Sequence, residues 1–257
     1  MAFALAINHL VASMKKTGCP ICRLYRESSE RAIDSFLWEN VNDPQVRQGI
    51  IASYGFCQDH TRLMVARELF SSSVALGTNI IYEHLGRLVA GELKTLRPVG
   101  SGRPASEWRV RVRAWLKRFG LQKLAAGPLQ PRGLCPVCDA GSNAALNSLH
   151  VLCEEVDKAS PDVVSAYQAS DGICLDHLRT AVELHSSRFP AALRFLLDDT
   201  VQRLTSQSAH MKEYIRKNNW SYRDEKASEA EDTAWRKTLT FFTGYSASAF
   251  THKSEDL

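Results

Sequence analysis

The sequence predicts an all-α protein made of two homologous helical modules in tandem, each closed by a Cys3His metal site. Three observations predict it. Apolar residues recur at three- and four-residue steps through most of the chain, the spacing of one face of a helix. Stretches that alternate with period two are few, and β-branched runs are short. A four-ligand pattern of cysteine and histidine occurs twice, nearly in register.

Cys19-Pro20-Ile21-Cys22 is followed, 35 residues after Cys22, by Cys57-Gln58-Asp59-His60. Cys135-Pro136-Val137-Cys138 is followed, 36 residues after Cys138, by Cys174-Leu175-Asp176-His177. The cysteine pairs stand 116 residues apart and the CxxH pairs 117. Pro44 and Pro161, and Gly55 and Gly172, keep the offset of 117. One inserted residue between the CPxC and the proline accounts for the change. The pattern reads as an internal repeat. Residues 1–96 form the first copy, 97–134 a basic linker with a short amphipathic helix, and 135–217 the second copy. Residues 218–257 form a polar C-terminal segment with a short docking helix.

The elements follow in order. A helix begins at the first CPxC and runs from Cys22 to Trp38, with Leu24, Ala32 and Phe36 at helical intervals. Asn42-Asp43-Pro44 predicts a stop and a new start, because Asn or Asp caps a helix and proline suits its first turn. Ser160-Pro161 repeats the device. Each short second helix runs to a glycine, Gly55 or Gly172, a residue that commonly ends helices. CxxH then opens a further helix. In the first copy Leu63, Phe70, Val74, Gly77, Ile81, Leu85, Leu88 and Val89 mark its apolar face, with a bend expected at Ser71-Ser72-Ser73. In the second copy Ser186 to Pro190 predicts a break, after which Leu193, Leu196, Leu197, Val201, Leu204, Met211 and Ile215 continue the face.

In the linker, Trp108, Val112, Trp115, Leu116 and Phe119 form one stripe, with Arg109, Arg113, Lys117 and Arg118 off it. The segment 224–232 is polar and acidic. Trp235 to Phe242 predicts an amphipathic helix docked on the core, and the last ten or so residues read as loose.

Length and composition set outer bounds. The 257 residues can bury one large or two modest cores, and 44% hydrophobic with 23% charged residues is ordinary for a globular chain. No apolar run approaches the length of a membrane span. The mildly apolar N-terminus lacks a basic leader and a cleavage site, so a cytoplasmic location is expected, where thiols stay reduced. The net charge of +4 is unevenly placed. Residues 97–132 hold nine Lys or Arg against Glu107 alone, +8 in total, which leaves about −4 for the remainder.

Three thiolates and one imidazole are the ligand complement of a closed tetrahedral zinc site. Six of the seven cysteines fall in the pattern, and only Cys153, in an apolar stretch, reads as a small buried hydrophobe. Helix starts suit thiolates, because free N–H groups and the positive end of the macrodipole stabilise their charge. The expected arrangement is one ion on Cys19, Cys22, Cys57 and His60 and another on Cys135, Cys138, Cys174 and His177. A helical hairpin would return the chain between the two ligand pairs of each copy. Asp59 and Asp176 read as acids favoured at helix starts rather than as groups that orient the histidine. His9, His84, His150, His185, His210 and His252 show no repeated pattern.

With these motifs in place, the chain resembles an uncharacterised bacterial and archaeal family of domains of unknown function. The residues that carry the resemblance are Cys19 to Cys22, Trp38 to Pro44, Gly55 to His60, Cys135 to Cys138, Gly172 to His177 and Ile215 to Glu225. The resemblance implies the ligand set and implies no activity. It does not extend to the basic insert.

The first functional reading is a metal-stabilised helical protein, the metal being zinc, with an interaction or regulatory role and an unknown protein partner. Fully ligated sites leave no open position for hydrolytic chemistry, and no Ser-His-Asp arrangement, P-loop or dinucleotide fingerprint is present. The second is redox chemistry, since cysteines also hold iron–sulfur clusters; a thiol–disulfide enzyme would need a βαβ context that is missing here. The third is binding of nucleic acid or an anionic surface through Arg103 to Lys123, where tryptophans sit among basic residues.

Overall fold

The computed structural model describes residues 2–71, 75–95, 129–222 and 224–244. Among these residues the protein is all-α, with no strand. The helices are α1 (Ala2–Met14), α2 (Pro20–Asp34), α3 (Pro44–Ala52), α4 (Gln58–Ser71) and α5 (Leu76–Thr95). They continue with α6 (Pro136–Asp157), α7 (Pro161–Ala169), α8 (Leu175–His185), α9 (Pro190–Lys217) and α10 (Glu229–Thr243). The helix expected at Trp108–Phe119, the Arg103–Lys123 surface, Ser72-Ser73 and the end of the chain lie outside the described residues.

The chain forms two compact units. One comprises Met1–Ser28 with Gly141–Leu257, and the other comprises Ser29–Ala140. Both boundaries fall inside helices, α2 and α6, rather than in the linker. Each unit has its own core. In the discontinuous unit Leu10, Ile21, Leu149, Leu152, Tyr167 and Leu196 are fully buried together. In the continuous unit Ile33, Leu37, Ile50, Met64, Ile81 and Val137 pack together.

Local chemistry sets the helix ends. Asp43 caps α3, its Oδ1 accepting from the backbone N–H of Gln45 at 2.8 Å and of Val46 at 3.0 Å, with Pro44 in the first turn. Ser160 stands in the same place before Pro161, but its side chain makes no capping bond; there the proline alone marks the start. Gly55 and Gly172 take φ of +92° and +76°, left-handed values that a side chain would resist, just ahead of each CxxH. The break expected at Ser186–Pro190 separates α8 from α9.

The structure adds to and corrects several finer expectations. The helix from the first CPxC does not stay α-helical to Trp38. It ends at Asp34 and continues as a π-helical turn over Ser35–Glu39, closed by the N–H of Asn40 donating to the Ser35 carbonyl at 2.8 Å. Helix α1, whose face is weakly marked in sequence, buries Leu10 and Met14. In α10 the docking face is Ala234 and Thr240, with Phe241 packed against the core, whereas Trp235 and Phe242 are exposed. That helix starts earlier than the apolar pattern suggests, because Ser228 and Glu231 form a capping box inside the acidic stretch. On α9 only the first turns are buried; Val201 and Ile215 are 64% and 71% exposed, so most of the stripe there is not core.

The π-helical turn leaves a tight fit. A methyl group at Gly77 in α5 would stand 2.5 Å from the Leu37 carbonyl oxygen, a backbone atom that cannot swing away. A methyl group at Gly86 in the same helix would meet nothing within 4 Å. Replacing glycine by alanine in a helix gains about 1 kcal/mol, while overpacking costs about 1–3 kcal/mol or more. Gly86→Ala should therefore raise the thermal midpoint and Gly77→Ala should lower it, in a paired calorimetric or fluorescence melt. Equal shifts of the same sign would contradict this packing.

Candidate metal centres

All four ligand motifs sit where helices begin. Pro20 and Pro136 open α2 and α6, so each CPxC straddles a helix start. Cys57 and Cys174 immediately precede α4 and α8, which places His60 and His177 in the first turn of each. The exposed amides and positive helix ends therefore converge on the sulfurs.

The structure gathers the eight side chains into two groups, but not the two expected from the repeat. Cys19 and Cys22 meet Cys174 and His177, and Cys135 and Cys138 meet Cys57 and His60. Within each group the donor atoms all lie within 4.8 Å of one another, an arrangement that could hold a metal ion. The same eight residues make up the two groups, but the expected pairing of Cys19 and Cys22 with Cys57 and His60, and of Cys135 and Cys138 with Cys174 and His177, is not the one formed. The first group lies wholly in the discontinuous unit and the second wholly in the continuous one.

The distances fit a single tetrahedral ion. With ~2.3 Å zinc–sulfur and ~2.0 Å zinc–nitrogen bonds, tetrahedral edges are about 3.8 Å between sulfurs and about 3.5 Å from sulfur to nitrogen. In the first group the Sγ atoms of Cys22 and Cys174 are 3.6 Å apart. His177 Nδ1 lies 3.6, 3.4 and 3.1 Å from the sulfurs of Cys19, Cys22 and Cys174. In the second group the Sγ atoms of Cys57 and Cys138 are 3.6 Å apart. His60 Nδ1 lies 3.2, 3.7 and 3.3 Å from the sulfurs of Cys57, Cys135 and Cys138. A disulfide would need sulfurs about 2.05 Å apart.

Electrostatics points the same way. Hydrogen bonding with Cys174 and Cys19, and then burial, holds the Cys22 thiol well above its ordinary range. Burial first, then the Cys57 and Cys135 sulfurs, pushes Cys138 up to about 12. Cys174 is driven well below its ordinary range by hydrogen bonds from Cys19 and Cys22. Burial opposes charge on His177, yet hydrogen bonds to the Cys174 and Cys19 sulfurs lift its ring to about 10. Three thiolates this close cannot all ionise without a cation among them. Burial lowers the His60 ring, which favours the neutral imidazole that ligates metals.

Some residues that shape the first group carry no motif. Gly244, which ends α10 at φ +74°, lies against it: a methyl group there would stand 2.7 Å from Cys22 Sγ and 3.4 Å from Cys174 Sγ. Asp171 Oδ2 accepts from the Gly18 N–H at 2.7 Å, tying together the turns that lead into Cys174 and Cys19. Beside the second group the Ala52 carbonyl accepts from the N–H groups of Arg132 and Gly133 and holds the approach to Cys135. Only Gly244 left a trace in the sequence, as a glycine after an amphipathic segment. Asp59 and Asp176 pair with Arg62 and Arg179 on the surface, as expected of helix-start acids. Cys153 is fully buried and its thiol is pushed up to about 12 by burial.

Among the described residues the molecule is thus an all-helical protein in which two Cys3His groups are each assembled from a CPxC and a CxxH motif that are not neighbours in the sequence. The chain belongs to a family of unknown function (DUF6062), whose model matches residues 4–249. No curated protein matches it, and no solved structure does.

The exchange of ligands sets an expectation for metal stoichiometry. Chains carrying Cys22→Ser with Cys174→Ser should keep one tightly bound ion, because both changes fall in one group. Chains carrying Cys22→Ser with Cys57→Ser should keep none. The reverse result in elemental analysis would restore the pairing within each copy. Separately, Gly244→Ala should speed metal release to a chromogenic chelator for about half of the bound metal only, since it crowds one group and not the other.

Proposed function

We propose that the protein is a zinc-stabilised helical protein whose two Cys3His sites are structural, and that it works through contacts with another protein in an interaction or regulatory role. The observation that carries the metal assignment is the convergence of three sulfurs and one imidazole Nδ1, at tetrahedral-edge distances, in both groups. Four protein donors complete a tetrahedral shell and leave no position for water or substrate, which favours structure over hydrolysis. In an iron–sulfur cluster the thiolates bind different irons and stand apart across the cluster; donors that converge on one point favour a single ion.

Large apolar side chains exposed on α9 and α10, such as Val201, Ile215 and Phe242, support a protein partner. No helix among the described residues is long and apolar enough to cross a membrane. Six ligand thiols suit a reducing compartment, so we place the protein in the cytoplasm.

The test is elemental analysis with an ultraviolet–visible spectrum on full-length protein prepared without oxygen. The expected result is two zinc ions per chain and no visible absorbance. A brown protein containing iron and sulfide would overturn the assignment.

A further inference from the structure

A cavity of about 280 Å³ opens between α9, α10 and the turn that leads from α7 into Cys174. It lies within the discontinuous unit and has no part in the ligand set. Its wall combines Leu204 and Phe241 with polar side chains, among them Gln168, Gln207 and Lys237. We propose that this cavity binds a small organic carboxylate, with the acid group at Lys237 and the hydrocarbon body against Leu204 and Phe241.

The charges that line the cavity are not equivalent. Arg203 is committed to the fold. It pairs with Asp199 at 2.5 Å and donates to the carbonyls of Tyr167, Gln168 and Ser170, which satisfies the end of α7. Asp171 is engaged with the Gly18 N–H. Lys237 makes no ion pair among the described residues, so its ammonium is the uncommitted charge at the cavity. The side-chain amides of Gln168 and Gln207 likewise make no hydrogen bond among the described residues, which leaves donors for the second carboxylate oxygen.

Among the described residues one cation without an ion pair, neutral amide donors and an apolar wall line the cavity, which matches a monocarboxylate better than a phosphate, a group that favours several cations or a run of backbone amides. The volume admits a molecule of about ten heavy atoms, at the small end of ligand cavities. The reading is independent of which metal fills the Cys3His sites.

The probe is 4-fluorobenzoate, followed by fluorine NMR against the full chain as purified, with 4-fluorobenzyl alcohol and 4-fluorobenzylamine as neutral and cationic counterparts. Saturable binding of the carboxylate is expected, at least tenfold tighter than either counterpart. Lys237→Met should weaken it at least tenfold, and Leu204→Arg should abolish it. Lys237 is exposed and makes no ion pair among the described residues, so Lys237→Met should keep the parent's thermal midpoint and metal content. Absence of saturable carboxylate binding, equal binding of the alcohol or amine, or affinity unchanged by Lys237→Met would each overturn the proposal.

Discussion

The structure depends on the gathering of three sulfurs and one imidazole nitrogen at paired helix starts. Everything near each group is arranged to bring those starts together. Proline opens the CPxC helices, a left-handed glycine precedes each CxxH, and backbone ties run from Asp171 to Gly18 and from Ala52 to Arg132. Three thiols this close cannot all ionise without a cation, and the Cys22 and Cys138 thiols are held above their ordinary range. An ion relieves the repulsion and fixes the geometry in one step.

The exchange of ligands changes what such an ion does for the fold. A site within one copy would close a loop of about forty residues. The group of Cys19, Cys22, Cys174 and His177 instead joins segments more than 150 positions apart, and the other group is nested inside it. Loop-closure entropy rises only logarithmically with length, so the added cost is about 1–2 kcal/mol. Structural zinc contributes about 10–16 kcal/mol in small peptides, against a typical domain stability of about 5–15 kcal/mol. An ion bound at such a group would support long-range closure. In the unit built from the two ends of the chain, Met1–Ser28 and Gly141–Leu257, it would tie those ends to each other.

Much of this was legible before the structure. The all-helical class, the ligand residues, the helix starts at Pro44, Pro161 and Pro190, and the burial of Cys153 follow from local signals: periodicity, caps, proline and composition. Other features were not legible because their causes are not local. The π-helical turn at Ser35–Glu39 lies, through the Leu37 carbonyl, against Gly77, a neighbour forty positions on. The exposure of Val201 and Ile215 on a helix with a good apolar stripe depends on what packs against α9, which periodicity does not report. The seat of Gly244 against Cys22 depends on where α10 docks.

The sequence by itself determined which atoms can bind metal and which secondary structure presents them, since both are properties of residue type and short spacing. Tertiary structure alone decided which motif meets which. Four equivalent helix starts offer more than one chemically satisfactory pairing, and a 35-residue gap is compatible with either. The choice is made by long-range packing, which brings the start of α2 to that of α8 in one unit and the start of α6 to that of α4 in the other, contacts that residue type and short spacing do not encode.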